Sequence, residues 1–261
     1  MQDTPTQETP HYSAKRRFDA VIFDIDGCLI PEDSSPLNAS ALAKIAEHNR
    51  RAIGEGDRPV VTVCSGRPHP FAEAMCRLLH NTTLPCIAEN GVWLFFPDQN
   101  RSERDPAIRP EHTEAVMEAT KWVETELGPR GVSIQPGKAS SISLFHPDPA
   151  FLKELCPMIE QAFRVCGWPF RVSMTWRYIN CDLAHVSKST AIERFIAATG
   201  IARERLAGVG DTQGDMMIRE HVAWFACPAN ADEKLKAHAD YVSPHAEIEG
   251  SLDIIQKLCQ G

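Results

Sequence analysis

No stretch of the chain approaches the roughly 20 consecutive apolar residues that a membrane-spanning helix needs. The polar start, Met1 to Ser13, also lacks the apolar segment of a secretory signal. The expectation is a cytoplasmic protein with no membrane partner. The chain lacks any Cys-x-x-Cys pair as well. Its nine cysteines are an odd count, and Cys64, Cys86, Cys181 and Cys227 sit within apolar stretches, so reduced core thiols explain them better than disulfides or zinc. Basic charge is in the minority, with 27 Lys and Arg against 35 Asp and Glu and a formal charge of −8. A general nucleic-acid or anionic-membrane binder would show basic clustering. The one short basic run, Lys15-Arg16-Arg17, reads as a solvated lead-in to the first strand. There is no internal repeat, and the only low-complexity tract is the polar first dozen or so residues, expected to be poorly ordered. What remains is 261 residues with an apolar share of 43%, enough for one large domain or two modest ones with a full core.

Within that ordinary composition, Ala20-Val-Ile-Phe-Asp-Ile-Asp-Gly-Cys-Leu-Ile30 is apolar up to two aspartates at alternate positions, with glycine next. It reads as a buried strand delivering two carboxylates to one edge. Strand side chains alternate, so Asp24 and Asp26 point the same way, and Gly27 lets the backbone turn sharply behind them. Such a pair suits Mg²⁺ and nucleophilic attack on phosphorus, although an isolated Asp-x-Asp is more often a helix cap beside a turn. Three later segments supply other parts of carboxylate-based phosphoryl transfer. Val60-Val-Thr-Val-Cys-Ser-Gly-Arg67 is a β-branched strand ending in Ser65, whose hydroxyl and neighbouring N–H groups suit a phosphoryl oxygen or, more plainly, an N-cap. Lys188 opens a helix running to Thr199 and can neutralise phosphate or the nucleophile; a lone lysine there is otherwise solvated surface. Leu206-Ala-Gly-Val-Gly-Asp-Thr-Gln-Gly-Asp215 ends in two acids, Asp211 and Asp215, suited to a hard cation that wants oxygen ligands or to a turn with a helix cap.

Apolar periodicity organises the rest. Helices are expected over residues 38–51 and 71–79, then βα alternation resumes at Lys188 with strands at Leu206, Trp224–Cys227 and Tyr241 and helices at Met216 and Asp232–Ala239. That pattern implies α/β architecture, a doubly wound parallel sheet whose ligands bind beyond the carboxyl ends of the strands. All four motifs fall at such ends. The middle differs: strands at Val132–Ile134, Ile142–Phe145, Phe170–Met174 and Tyr178–Leu183, with helices over Glu111–Leu127 and Pro149–Val165, make a small sheet covered by two helices.

Together the four segments resemble the four motifs of the haloacid dehalogenase superfamily of aspartate-nucleophile phosphohydrolases, across nearly the whole chain. Asp24 and Asp26 match the first motif, Ser65 the second, Lys188 the third, and Asp211 with Asp215 the fourth. The gap between Ser65 and Lys188 is where the Cof-type branch inserts an α+β cap, and Glu89-Asn90-Gly91 resembles the Asn-Gly turn before it. The resemblance implies a Rossmann-like core of residues 18–91 and 187–261, a cap of residues 92–186, and an N-terminal extension of residues 1–17. Three positions depart from the usual pattern: Cys28 stands where threonine is common, Ser189 replaces a glycine, and Gly214 replaces an asparagine.

The resemblance further implies that Asp24 attacks phosphorus to form an aspartyl-phosphate, while Asp26 protonates the leaving alcohol and then takes a proton from the attacking water. Mg²⁺ would be held by Asp24, the Asp26 backbone carbonyl, Asp211 and Asp215, the last directly or through water. Ser65 and Lys188 would hold phosphoryl oxygens. Gly66, Arg67, Asn90 and Lys138, the last in the loop Gln135-Pro-Gly-Lys-Ala139, are candidates to contact substrate, although a solvated loop is the commoner place for such a lysine. Trp176 and Arg177 fit either a substrate contact or a hairpin surface. A cap of this size favours a small, sugar-phosphate-like metabolite over polymers, with the protein a monomer or weak homodimer. A phosphomutase would carry the same motifs, and ranks second. A non-catalytic phosphate-binding protein would be expected to have lost one of the five charged residues.

Overall fold

The structure, a computed structural model, describes residues 16–260. The residues before Arg16, and with them the expectation of poor order, lie outside it. The first half of the core is β1 (Ala20–Phe23), α1 (Ala39–Glu55), β2 (Val60–Val63) and α2 (His69–Leu78). The Asn38 side chain caps α1, accepting from the Ala41 N–H at 3.1 Å, and Gly56 ends it at φ +65°, a left-handed conformation that suits glycine. Next come β3 (Cys86–Ala88), β4 (Trp93–Phe96) and β5 (Arg101–Arg104), an antiparallel sheet in the order β3-β4-β5.

The second unit comprises α3 (Pro110–Glu126), β6 (Ser133–Ile134), β7 (Ser141–Phe145), α4 (Pro149–Cys166), β8 (Phe170–Met174) and β9 (Tyr178–Leu183). Its sheet runs β6-β7-β9-β8, wholly antiparallel. Val116, Ala119 and Val123 of α3 and Leu152, Leu155 and Ile159 of α4 pack with Ile142, Leu144, Ile179 and Cys181 of that sheet. The chain then returns through α5 (Lys188–Thr199), β10 (Leu206–Val209), α6 (Met216–Arg219), β11 (Trp224–Cys227), α7 (Glu233–Lys236), β12 (Tyr241–Val242) and α8 (Glu247–Leu258).

The core sheet is parallel throughout, in the order β12-β11-β10-β1-β2. Its central strands are near-continuous apolar runs because both faces are covered. Val21 and Phe23 join Leu42, Met75 and Ile254 on one face, while Ala20 and Ile22 join Ile192, Phe195 and Phe225 on the other. Phe23, Phe195 and Phe225 are fully buried, each contributing about 1.5–3 kcal/mol of transfer free energy. With β1 flanked by β2 and β10, the residues just beyond three adjacent strands, Asp24, Ser65 and Asp211, are delivered to one edge. No helix among the described residues is long and apolar enough to cross a membrane.

The segment around β4 serves both units: Val92 belongs to the cluster of the inserted unit, while Leu94 and Phe96 pack with Ile192 and Phe195 of the core and Phe95 with Phe23. Two readings of the sequence need amendment. Arg16 is not a solvated lead-in: its Nε donates to Asp19 Oδ1 at 2.8 Å and its Nη1 to the Arg58 carbonyl at 2.9 Å. Asp19 is almost fully buried and needs this cation together with Arg205. Finally, β1 stops at Phe23, and residues 25–30 close a tight loop in which the Leu29 N–H donates to Ile25 O at 2.8 Å and the Gly27 N–H to Ile30 O at 2.8 Å. Strand alternation therefore does not carry from Asp24 to Asp26. All nine cysteines are free.

Candidate active site

Asp24, Lys188, Asp211 and Asp215 meet at the carboxyl edge of the core sheet. Lys188 is the first residue of α5, set by a capping box in which the Ser187 hydroxyl accepts from the Thr190 N–H at 3.2 Å and Thr190 Oγ1 accepts from the Ser187 N–H at 3.1 Å. From there its Nζ donates to Asp24 Oδ1 and Asp215 Oδ1, each at 2.7 Å. Asp215 Oδ2 accepts from the Asp211 and Thr212 N–H groups, both at 3.0 Å. Among the described residues, Asp211 Oδ1 is buried without a hydrogen-bond partner. Ligand atoms of Asp24, Asp211 and Asp215 lie within 4.8 Å of one another.

Three buried carboxylates face one buried ammonium, and the imbalance is visible in their protonation. Burial, then Asp215 and Asp24, push Asp211 up to about 9. Burial raises Asp24 to about 7 even though Lys188 pulls it down. Burial opposes the Lys188 ammonium, but Asp215 and Asp24 outweigh it and raise its pKa well above the usual lysine range. An all-oxygen cluster with surplus negative charge and an orphaned Asp211 oxygen fits a hard divalent cation. Both Asp215 oxygens already have partners, which favours Asp24 and Asp211 as the direct ligands. Gly27, at φ +71°, is required here, since a Cβ would sit 2.0 Å from Asp211 Oδ2.

Asp26 stays out of this cluster. Its carboxylate takes two hydrogen bonds from Arg67 Nε, at 2.9 and 3.0 Å, and a short one from Arg67 Nη2. The Arg67 guanidinium carbon also lies 4.9 Å from the Phe71 ring centroid. Arg67 lines the cavity, as a substrate contact would, while its Nε and Nη2 hold Asp26. The same loop limits Ser65: its N–H donates to Ile87 O at 3.1 Å, and its hydroxyl oxygen accepts from the Arg67 N–H at 3.1 Å. Its O–H hydrogen and the Gly66 N–H are the donors left for a bound oxygen. Gly66 packs tightly, because a Cβ there would lie 3.0 Å from Asn90 Oδ1.

The cavity above these groups measures about 250 Å³ and is lined from both units, by Asp24, Asp26, Ser65, Gly66, Arg67, Asn90, Lys188 and Asp211 below and by Lys138, Arg171, Asn180 and Asp182 above. Lys138 belongs to it, with its Nζ donating to Ser143 Oγ. Asn90 spans the two units, donating from Nδ2 to Asp182 Oδ2 at 3.0 Å. Asp215 is absent from the lining, consistent with its place behind Lys188. Trp176, largely exposed, is hairpin surface.

Several contributors carry no signal in the sequence. Glu32 lines the cavity, and burial together with Asp26 raises it to about 7 against Arg177 and Arg67. Asn230 braces the first loop, its Nδ2 donating to Gly27 O at 2.9 Å. Glu89 reaches across to the inserted unit. The three departures have local accounts. Cys28 is fully buried in the core cluster; Ser189 Oγ bonds His221 Nε2 at 2.5 Å; a side chain at Gly214 would meet only Thr212 Oγ1, at 3.5 Å.

Known proteins resemble this chain in sequence and in fold. The family model described as haloacid dehalogenase-like hydrolase matches residues 132–255. The phosphoglycolate phosphatase of Methanospirillum hungatei is 27% identical over 240 residues, covering 90% of this chain and 94% of its own. Phosphoglycolate phosphatase 1 of Saccharolobus solfataricus is 28% identical over 246 residues, covering 92% and 96%. Among solved structures, a Thermoplasma acidophilum protein superposes with a TM-score of 0.69 at 20% identity over 93% of this chain and 99% of that one. A Plasmodium vivax protein described as a HAD/COF-like hydrolase superposes with a TM-score of 0.72 at 17% identity over 94% and 96%. The sequence relatives and the fold agree: residues 132–255 match the haloacid dehalogenase-like hydrolase model, and over most of its length the chain is similar to proteins named phosphoglycolate phosphatase.

Proposed function

We propose that the protein is a Mg²⁺-dependent phosphatase that releases inorganic phosphate from a small phosphorylated metabolite by way of Asp24. The observation that carries this reading is the placement of Asp24: buried just beyond the end of β1, on the floor of the cavity, with one oxygen held by Lys188 and the other left for attack. A cavity of about 250 Å³ is smaller than the roughly 300–1,000 Å³ typical of drug-sized ligands, which supports a metabolite of a few carbons. The names of the relatives make phosphoglycolate one of the first compounds to try.

In this reading Asp24 forms a bond to phosphorus as the bond to the leaving oxygen breaks, and Asp26 supplies that oxygen with a proton. Asp26 has to turn from Arg67 to do so. In the second half Asp26 takes a proton from water, whose oxygen attacks phosphorus; the bond to Asp24 breaks and phosphate leaves. Lys188 holds Asp24 in line and neutralises it, while the Ser65 hydroxyl and Gly66 N–H hold a phosphoryl oxygen. Magnesium, held by Asp24, Asp211 and the Asp26 carbonyl with Asp215 behind, would offset charge between the anionic nucleophile and the phosphate.

A phosphate-release screen over phosphorylated metabolites tests the reading. Release is expected with Mg²⁺, lost in chelator and restored by magnesium, because every ligand in reach is oxygen. Full activity in chelator, or recovery with zinc alone, would overturn the metal assignment.

A further inference from the structure

Glu89 is almost completely buried, yet it does not line the cavity. It sits at φ +53°, followed by Asn90 at φ +51°. Two consecutive non-glycine residues in the left-handed region are costly and persist only where surrounding contacts over-determine them. Those contacts are visible on both sides. Toward the core, the Glu89 N–H donates to Arg67 O at 2.9 Å and the Asn90 N–H to Ser65 O at 3.0 Å, tying the turn to the second-motif loop. Toward the inserted unit, the Glu89 carboxylate accepts from the Ala139 N–H at 2.9 and 3.0 Å, from the Ser140 N–H at 2.6 Å and from Ser141 Oγ at 3.1 Å. These charge-assisted bonds join residues some fifty positions apart in sequence, and they begin one residue after Lys138.

We infer that Glu89 is a positioning residue for substrate selection: by holding residues 139–141 against the core, it fixes Lys138 at the far end of the cavity. This rests on the proposed phosphatase reading and assigns to that site a selector that touches no substrate. Lys138 is the group positioned, since it lines the cavity and, among the described residues, donates a hydrogen bond only to Ser143. The inference also gives the strained turn a role, because one dipeptide registers the phosphate end of the cavity against its leaving-group end.

The test compares wild type, Glu89→Gln, Ser141→Ala, Lys138→Ala and the Glu89→Gln/Lys138→Ala double variant in Mg²⁺. The substrates are phosphoglycolate, glycerol 3-phosphate and glucose 6-phosphate as metabolites, with 4-nitrophenyl phosphate as an aryl ester. Glu89→Gln should lower kcat/KM for the best metabolite by about tenfold, mainly through KM, which is the scale of one hydrogen bond to a charged group. Hydrolysis of the aryl ester should stay within about threefold. Ser141→Ala, which removes one of the bonds, should move selectivity in the same direction by less. The double variant should match Lys138→Ala, because Glu89 acts through that residue. Hydrogen exchange at the Ala139 and Ser140 amides should quicken in Glu89→Gln while β1 and β10 stay protected. Equal loss on every ester, multiplying losses in the double variant, or unchanged exchange at residues 139 and 140 would each overturn the inference. If wild type releases phosphate from none of the four esters, the phosphatase reading fails and the assignment of Glu89 as a substrate selector falls with it; the exchange result then still separates a held loop from a free one.

Discussion

Replacing Asp24 with asparagine is expected to abolish phosphate release while leaving the protein folded. An amide cannot serve as the nucleophile, and its loss also removes one of the charges that would hold the cation, so the rate should fall by roughly 10⁴-fold or more, as when one member of a catalytic unit is deleted. Stability should not follow activity. Asp24, Asp211 and Asp215 put three buried carboxylates beside the single Lys188 ammonium, so removing one charge relieves repulsion while the amide keeps the volume and can still accept from Lys188. A melting temperature equal to or above wild type, measured with phosphate release on the same preparation, is the expected pair of results. Near-normal turnover would remove Asp24 from the chemistry.

Asp26→Asn should cost roughly 10²–10⁴-fold, the usual size of a general acid–base contribution. The cost should depend on the substrate. An alkyl ester needs its leaving oxygen protonated, whereas an aryl phosphate leaves as a phenolate with less help, so the variant should be impaired more on alkyl phosphates than on 4-nitrophenyl phosphate. The Asp26–Arg67 pair is partly exposed, with side chains 24% and 22% accessible, so breaking it should change stability little. Equal impairment on both classes of ester would instead assign Asp26 a purely structural part in holding Arg67.

How far the sequence foretold these features depended on the range of the interaction. β8, β9 and β11 fall on the residues expected, because each is an apolar or alternating run bounded by clear breaks. The β3–β5 sheet was not legible: Cys86–Ala88 is three residues long, and Arg101–Arg104 is an exposed polar strand held by pairing with β4, not by an apolar face. Helix α8 was also missed at the end of the chain. In the site, Asp24, Ser65, Lys188, Asp211 and Asp215 lie at strand or helix ends that short-range pattern marks. Arg67 against Asp26 and Glu89 against residues 139–141 depend on pairings 41 to 52 residues apart. No local pattern encodes those, and Asp26 was misdirected because alternation was extended past the last strand residue.

The covalent role of Asp24 is the centre of the account, and rapid acid quench of a single turnover tests it most directly. With a substrate radiolabelled in its phosphoryl group, the account predicts transient label on the protein, confined to the peptide containing Asp24, labile to hydroxylamine as an acyl phosphate is, and absent from Asp24→Asn. Product phosphate appearing at the full rate with no protein-bound label at any quench time would contradict it, pointing to direct attack by water.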